Sequence, residues 1–129
     1  MNRRPSPGFT LIELLVAISV IAVLAAFMTP NLVLARKRAN LSSSEVFARN
    51  VIGVIESKRD NSGSILALDK ADCGDANQGF PFKPSAVNTC TVTALNGGAD
   101  YKLTVTLNPG LTSYSSLEYD STSSQLVFK

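Results

Sequence analysis

The chain has 129 residues with 12 basic and 10 acidic side chains, and it contains no histidine and no tryptophan. That length suits one compact domain with an appended segment rather than a two-domain enzyme, and the lack of histidine removes the commonest general acid–base and the commonest metal ligand. Arg3 and Arg4 account for the formal charge of +2, so the chain beyond residue 8 is balanced and lacks the basic excess that direct nucleic-acid binding favours.

From Phe9 to Met28 run 20 residues in which only Thr10, Glu13, Ser19 and small alanines interrupt large apolar side chains. As a helix this stretch is about 30 Å long, the thickness of a bilayer core. It is apolar around its whole circumference, so lipid or other helices must surround it. The ordinary competitor is a secretory signal peptide cut near Ala25 or Ala26. Three features oppose it: the run exceeds the usual span of about 7 to 15 residues, it holds the acidic Glu13, and the basic Arg36, Lys37 and Arg38 follow it.

Positive charge alone does not orient this span, because the amino terminus with Arg3 and Arg4 balances Arg36, Lys37 and Arg38. The two cysteines, Cys73 and Cys90, lie in the polar half. Their placement predicts one disulfide, which puts the carboxy-terminal part outside the cytoplasm. The other reading is a pair of reduced, buried thiols. Glu13 is the sharpest residue, since a carboxylate within a span costs on the order of 3 kcal/mol on insertion scales. Either it snorkels to the headgroups or a partner compensates it.

The run Gly8-Phe9-Thr10-Leu11-Ile12-Glu13-Leu14, preceded by Arg3 and Arg4, resembles the prepilin signature of type IV pilins and type II secretion pseudopilins. The likeness is close over residues 1–40, including Pro30 and Asn31, and architectural beyond. It implies an α+β fold in which a long amino-terminal helix packs on a small antiparallel β-sheet. A prepilin peptidase is expected to cut between Gly8 and Phe9 and to methylate the new Phe9 amine. Gly8 suits that position because a backbone without a side chain enters a protease cleft easily.

The resemblance also implies that Glu13 neutralises the amine of a neighbouring subunit and fixes its register, since an unpaired buried charge is strongly penalised. The expected partners are copies of this chain and other pilin subunits, the peptidase, an inner-membrane assembly platform and, before assembly, the membrane itself. The expected location is therefore the inner membrane, amino terminus cytoplasmic, and then the periplasm or a surface pilus. Pro30 is expected to kink the helix. Resembling proteins commonly carry glycine eight residues earlier, where this chain has Ala22.

Beyond Pro30 the pattern turns amphipathic, with Ala48, Val51, Ile52 and Ile55 at helical spacing. Residues 60–86 are rich in Gly, Asp, Asn, Ser and Pro and read as a long loop. Asp69, Asp72 and Asp75 within it lack the glycine and glutamate of an EF-hand, so calcium is not expected. Four strand signals follow, at 89–95, 101–108, 113–120 and 125–128, separated by Gly97-Gly98, Pro109-Gly110 and a serine-rich turn. Tyr101, Leu103, Val105 and Leu107 share one face, which should meet the helix.

The expected layout is a leader at 1–8, a transmembrane and filament-core helix at 9–35, an amphipathic helix at 36–60, a loop region at 61–88 and an antiparallel β-meander at 89–129. No Gly-rich phosphate cradle, Ser-His-Asp arrangement or metal-ligand cluster stands in the sequence, so no cofactor, metal or catalysis is expected. The cysteine pair would tie the loop to the start of the sheet, whereas resembling pilins often close a carboxy-terminal loop. The readings that remain beside a pilus subunit are a pseudopilin of type II secretion, a minor pilin, and a membrane-anchored secreted binding module.

Overall fold

A computed structural model of the chain describes residues 8–129. Its one long helix, α1, runs over Leu11–Ser57 and stops three residues short of the end expected at residue 60. The turn that follows explains the stop: Asp60 Oδ1 accepts the N–H groups of Ser62 and Ser64, and Gly63 takes φ +78°, a backbone state that glycine reaches without cost. The residues fall into two compact units, one ending at Ala35 and the other spanning Arg36–Lys129.

In the second unit α1 buries Ser44, Phe47, Ala48, Val51 and Ile55, a spacing of three and four that places them on one stripe. Ile52 stands at the margin of that stripe, half-buried. The opposite face is polar and carries the Glu45–Arg49 pair at 2.8 Å, an i,i+4 contact that contributes a few tenths of a kcal/mol. Asn40 reaches from this helix to the Leu111 carbonyl at 2.9 Å.

Four strands form an antiparallel meander in chain order: β1 Val87–Leu95, β2 Asp100–Leu107, β3 Ser116–Asp120 and β4 Gln125–Phe128. Along β2, Tyr101, Leu103, Val105 and Leu107 are buried while Lys102, Thr104 and Thr106 are half-exposed. The inward set joins Val51 and Ile55 of α1, Val92 of β1, Leu117 of β3 and Ile65 and Phe80 of the intervening loop in one core. Each fully buried aliphatic side chain there is worth roughly 1.5–3 kcal/mol.

The strand starts differ from the expected ones at β1 and β3, and by one residue at β2. β1 begins at Val87 because Val87 already pairs with Leu107 ahead of a bulge. β3 begins at Ser116 rather than residue 113, because Thr112 folds back onto the Tyr114 carbonyl and pairs with Pro109 in an isolated bridge. The β1–β2 connection passes through Gly97 and Gly98 at φ +69° and +90°. A Cβ on Gly98 would lie 2.2 Å from Ser64 Oγ and 2.7 Å from Leu66 Cγ, so this glycine is needed both for its backbone and for its lack of a side chain.

The long loop is more ordered than its turn-rich composition suggests. It contains short 3-10 turns at Leu66–Leu68 and Ala76–Gln78, and between them it runs along the free edge of β1. Lys70 N–H bonds the Val92 carbonyl at 2.8 Å, Val92 N–H the Ala71 carbonyl at 3.1 Å, and Cys73 N–H the Cys90 carbonyl at 3.2 Å. Covering an edge in this way removes a template for unwanted pairing. The Cys73–Cys90 disulfide, with its Cα atoms 5.2 Å apart, fastens the cover.

Candidate functional site

The segment that invites a functional reading is the first unit. Gly8 has no heavy atom within 4 Å of where a Cβ would stand, and Phe9 is 79% exposed, so the backbone between them is open to a cleaving enzyme. Arg3 and Arg4 lie outside the described residues.

Thr10 caps α1. Its Oγ1 accepts the Glu13 N–H at 3.4 Å, while Glu13 Oε2 accepts the Thr10 N–H and the Thr10 hydroxyl, each at 2.8 Å. This reciprocal capping box satisfies donors that a helix start leaves orphaned, and it places a negative charge at the positive end of the helix. The capping role of Glu13 was not foreseen, although the Thr-x-x-Glu spacing is its signature. Both recorded bonds fall on Oε2, which leaves Oε1 for another donor.

From Leu11 to Leu34 the large apolar side chains are exposed on every side, and α1 is long and apolar enough to cross a membrane. The polar side chains inside this stretch are satisfied by the helix itself: Ser19 Oγ donates to the Val16 carbonyl and Thr29 Oγ1 to the Ala25 carbonyl, each at 2.8 Å. They can therefore enter an apolar surrounding at little cost. α1 continues through Pro30. Proline has no N–H, so the Ala26 carbonyl lacks its usual donor one turn later, and the helix loses one backbone bond there.

The structure brings Thr10 to Glu13 and Cys73 to Cys90. It does not supply the amine that Glu13 is expected to meet, because the Phe9 nitrogen of the uncut chain is an amide. Asp69, Asp72 and Asp75 each spend a carboxylate oxygen on a backbone N–H, of Ala94, Gly74 and Asn77, and no cluster able to hold a metal occurs among the described residues. One structural clamp was also missed by sequence reasoning: Arg59 pairs with Glu56 at 2.6 Å and donates to the Gly63 and Ala99 carbonyls at 2.6 and 2.9 Å. No local signal marks it, since both carbonyls belong to turns.

An apolar helix with a capped, acidic first turn, joined to a helix-on-meander domain, is the build of a type IV pilin. Residues 3–29 match the prokaryotic amino-terminal methylation motif and residues 40–125 match the pilin A4 family. The type IV wide pilus major component PilA4 of Thermus thermophilus is 34% identical over 103 residues, 74% of this chain and 78% of that protein. Among solved structures, a type IV pilin from Thermus thermophilus superposes with a TM-score of 0.60 at 29% identity over 70% of this chain and 98% of its own. A type IV-like competence pilin from the same organism gives 0.59 at 31% identity over 69% and 96%. This chain belongs to the pilin A4 family.

Proposed function

We propose that the chain is the precursor of a structural subunit of a type IV pilus-like filament, and that it catalyses nothing itself. The observation that carries the reading is the methylation motif set directly on an apolar, unpartnered helix that leads into a pilin A4 domain. Before assembly the subunit is held in the inner membrane by residues 9–35, amino terminus cytoplasmic. A prepilin peptidase cuts between Gly8 and Phe9 and methylates the Phe9 amine, and an inner-membrane platform then moves the subunit into the polymer.

Removing residues 1–8 does two physical things. It discards Arg3 and Arg4, each of which would cost on the order of 3 kcal/mol to draw into a bilayer, so the mature end can leave the membrane outward. It also creates the Phe9 amine, a cation that Glu13 Oε1 of a neighbouring copy can accept inside the apolar filament core. Pairing favours addition of the next subunit, because a lone buried charge would not be tolerated.

The likeness to a wide pilus major component favours the rank of major subunit, and the likeness to a competence pilin favours a second reading in which the filament serves DNA uptake. Deletion of the coding sequence separates them. A major subunit predicts the loss of surface filaments by electron microscopy. A competence subunit predicts filaments retained and transformation lost. Filaments and transformation both unchanged would contradict the proposal.

A further inference from the structure

Arg36, Lys37 and Arg38 are consecutive residues of α1, Arg36 and Arg38 exposed and Lys37 half-buried. Consecutive helical residues are about 100° apart, so three of them sweep about 200° of the circumference. That is a collar rather than a stripe, and a collar fits a plane crossed by the helix better than a partner lying along one side. The stretch between Glu13 and this collar, residues 14–35, is 22 residues and about 33 Å long as a helix, against about 30 Å for a hydrocarbon core.

The acidic groups of the chain do not complement the collar. Each of the 10 acidic side chains has a partner elsewhere in the chain, though Glu13 keeps Oε1 open: Glu45 with Arg49, Glu56 with Arg59, Glu118 with Lys102 and Lys129, and Glu13, Asp60, Asp69, Asp72, Asp75, Asp100 and Asp120 as hydrogen-bond acceptors. Among the described residues, none of these bonds involves Arg36, Lys37 or Arg38. Three cations on the far side of a span also oppose the usual charge bias of membrane insertion, and an anionic surface at that plane would offset this.

We propose that the Arg36–Lys37–Arg38 collar binds the phosphates of anionic lipids on the outer face of the membrane before polymerisation, and so sets the depth of the span. With the collar at that plane, a 22-residue stretch puts Glu13 at the opposite boundary rather than in hydrocarbon. The inference rests on the membrane-anchored reading above.

The test uses the absence of native tryptophan. Full-length chain carrying Leu34→Trp is reconstituted in vesicles, and quenching by brominated phosphatidylglycerol is compared with quenching by brominated phosphatidylcholine. The expected result is a preference for phosphatidylglycerol of roughly tenfold. It should fall to parity in the Arg36→Gln, Lys37→Gln, Arg38→Gln variant and weaken with salt. Equal quenching by both lipids in the unmodified collar overturns the proposal. Equal quenching together with lost filaments in the Gln variant overturns it in favour of a contact between copies. No quenching by either lipid overturns the membrane-anchored reading itself. Peptide mapping of the intact Cys73–Cys90 bond in the Gln variant checks that its domain has folded.

Discussion

Glu13 caps its own helix, and in the proposed filament its charge has a second, separable role between subunits. Its capping of Thr10 needs only an acceptor oxygen, which glutamine also has, whereas neutralising an amine needs the charge. Glu13→Ala and Glu13→Gln should both insert in the membrane, and both should cut filament yield by at least tenfold in sheared preparations. If only the alanine variant loses filaments, capping rather than charge is what assembly requires. Tyr101 is a second informative residue. Burial, and then the nearby Glu56 carboxylate, push its phenol well above the usual tyrosine range, and its buried hydroxyl has no hydrogen-bond partner among the described residues. Tyr101→Phe removes a desolvated group without opening a cavity, so thermal unfolding should show a change within about 1 kcal/mol, on the stabilising side.

At the scale of elements, the loop that guards β1 depends on the Cys73–Cys90 bond, which joins residues 17 apart in sequence. Replacing both cysteines by serine should lower stability by about 3 kcal/mol and speed amide exchange at Lys70 and Val92 first. Gly98→Ala should cost at least about 2 kcal/mol, because the new methyl meets Ser64 in a backbone state alanine avoids. An unchanged melting temperature for Gly98→Ala would contradict the described turn. The elements themselves were largely legible: period-2 alternation in 101–107 and helical spacing in 48–55 are strong local signals, and Gly97-Gly98 and Pro109-Gly110 mark the turns. What stayed hidden was non-local. The pairing of Lys70–Cys73 along β1 and the Arg59 clamp use backbone groups that any sequence has, so composition showed only a loop. At the amino terminus the residues were readable one by one, but the hydrogen-bonding oxygen of Glu13 was not.

For the whole molecule, the folded domain holds several carboxyls below their usual range and joins its two cysteines in a disulfide. The Arg59 side chain holds the Glu56 carboxyl below the usual range, Lys129 and then Lys102 do the same for Glu118, and hydroxyl and backbone donors lower Asp60 and Asp120. A carboxyl depressed in the folded state stabilises above its unfolded pKa, and that contribution is lost as pH falls through the folded value. Melting temperature should therefore be flat from neutral pH to about 5 and decline below about 4. A melting temperature that rises on acidification would contradict this charge arrangement.

The most direct test of the account as a whole is mass spectrometry of the amino terminus of material sheared from cells, with non-reducing mapping of Cys73 and Cys90 on the same sample. The expected result is a chain that begins at Phe9 with a methylated amine and an intact disulfide. A chain that still carries the leader, or begins near Ala26, would contradict it and would leave Glu13 without an amine to meet.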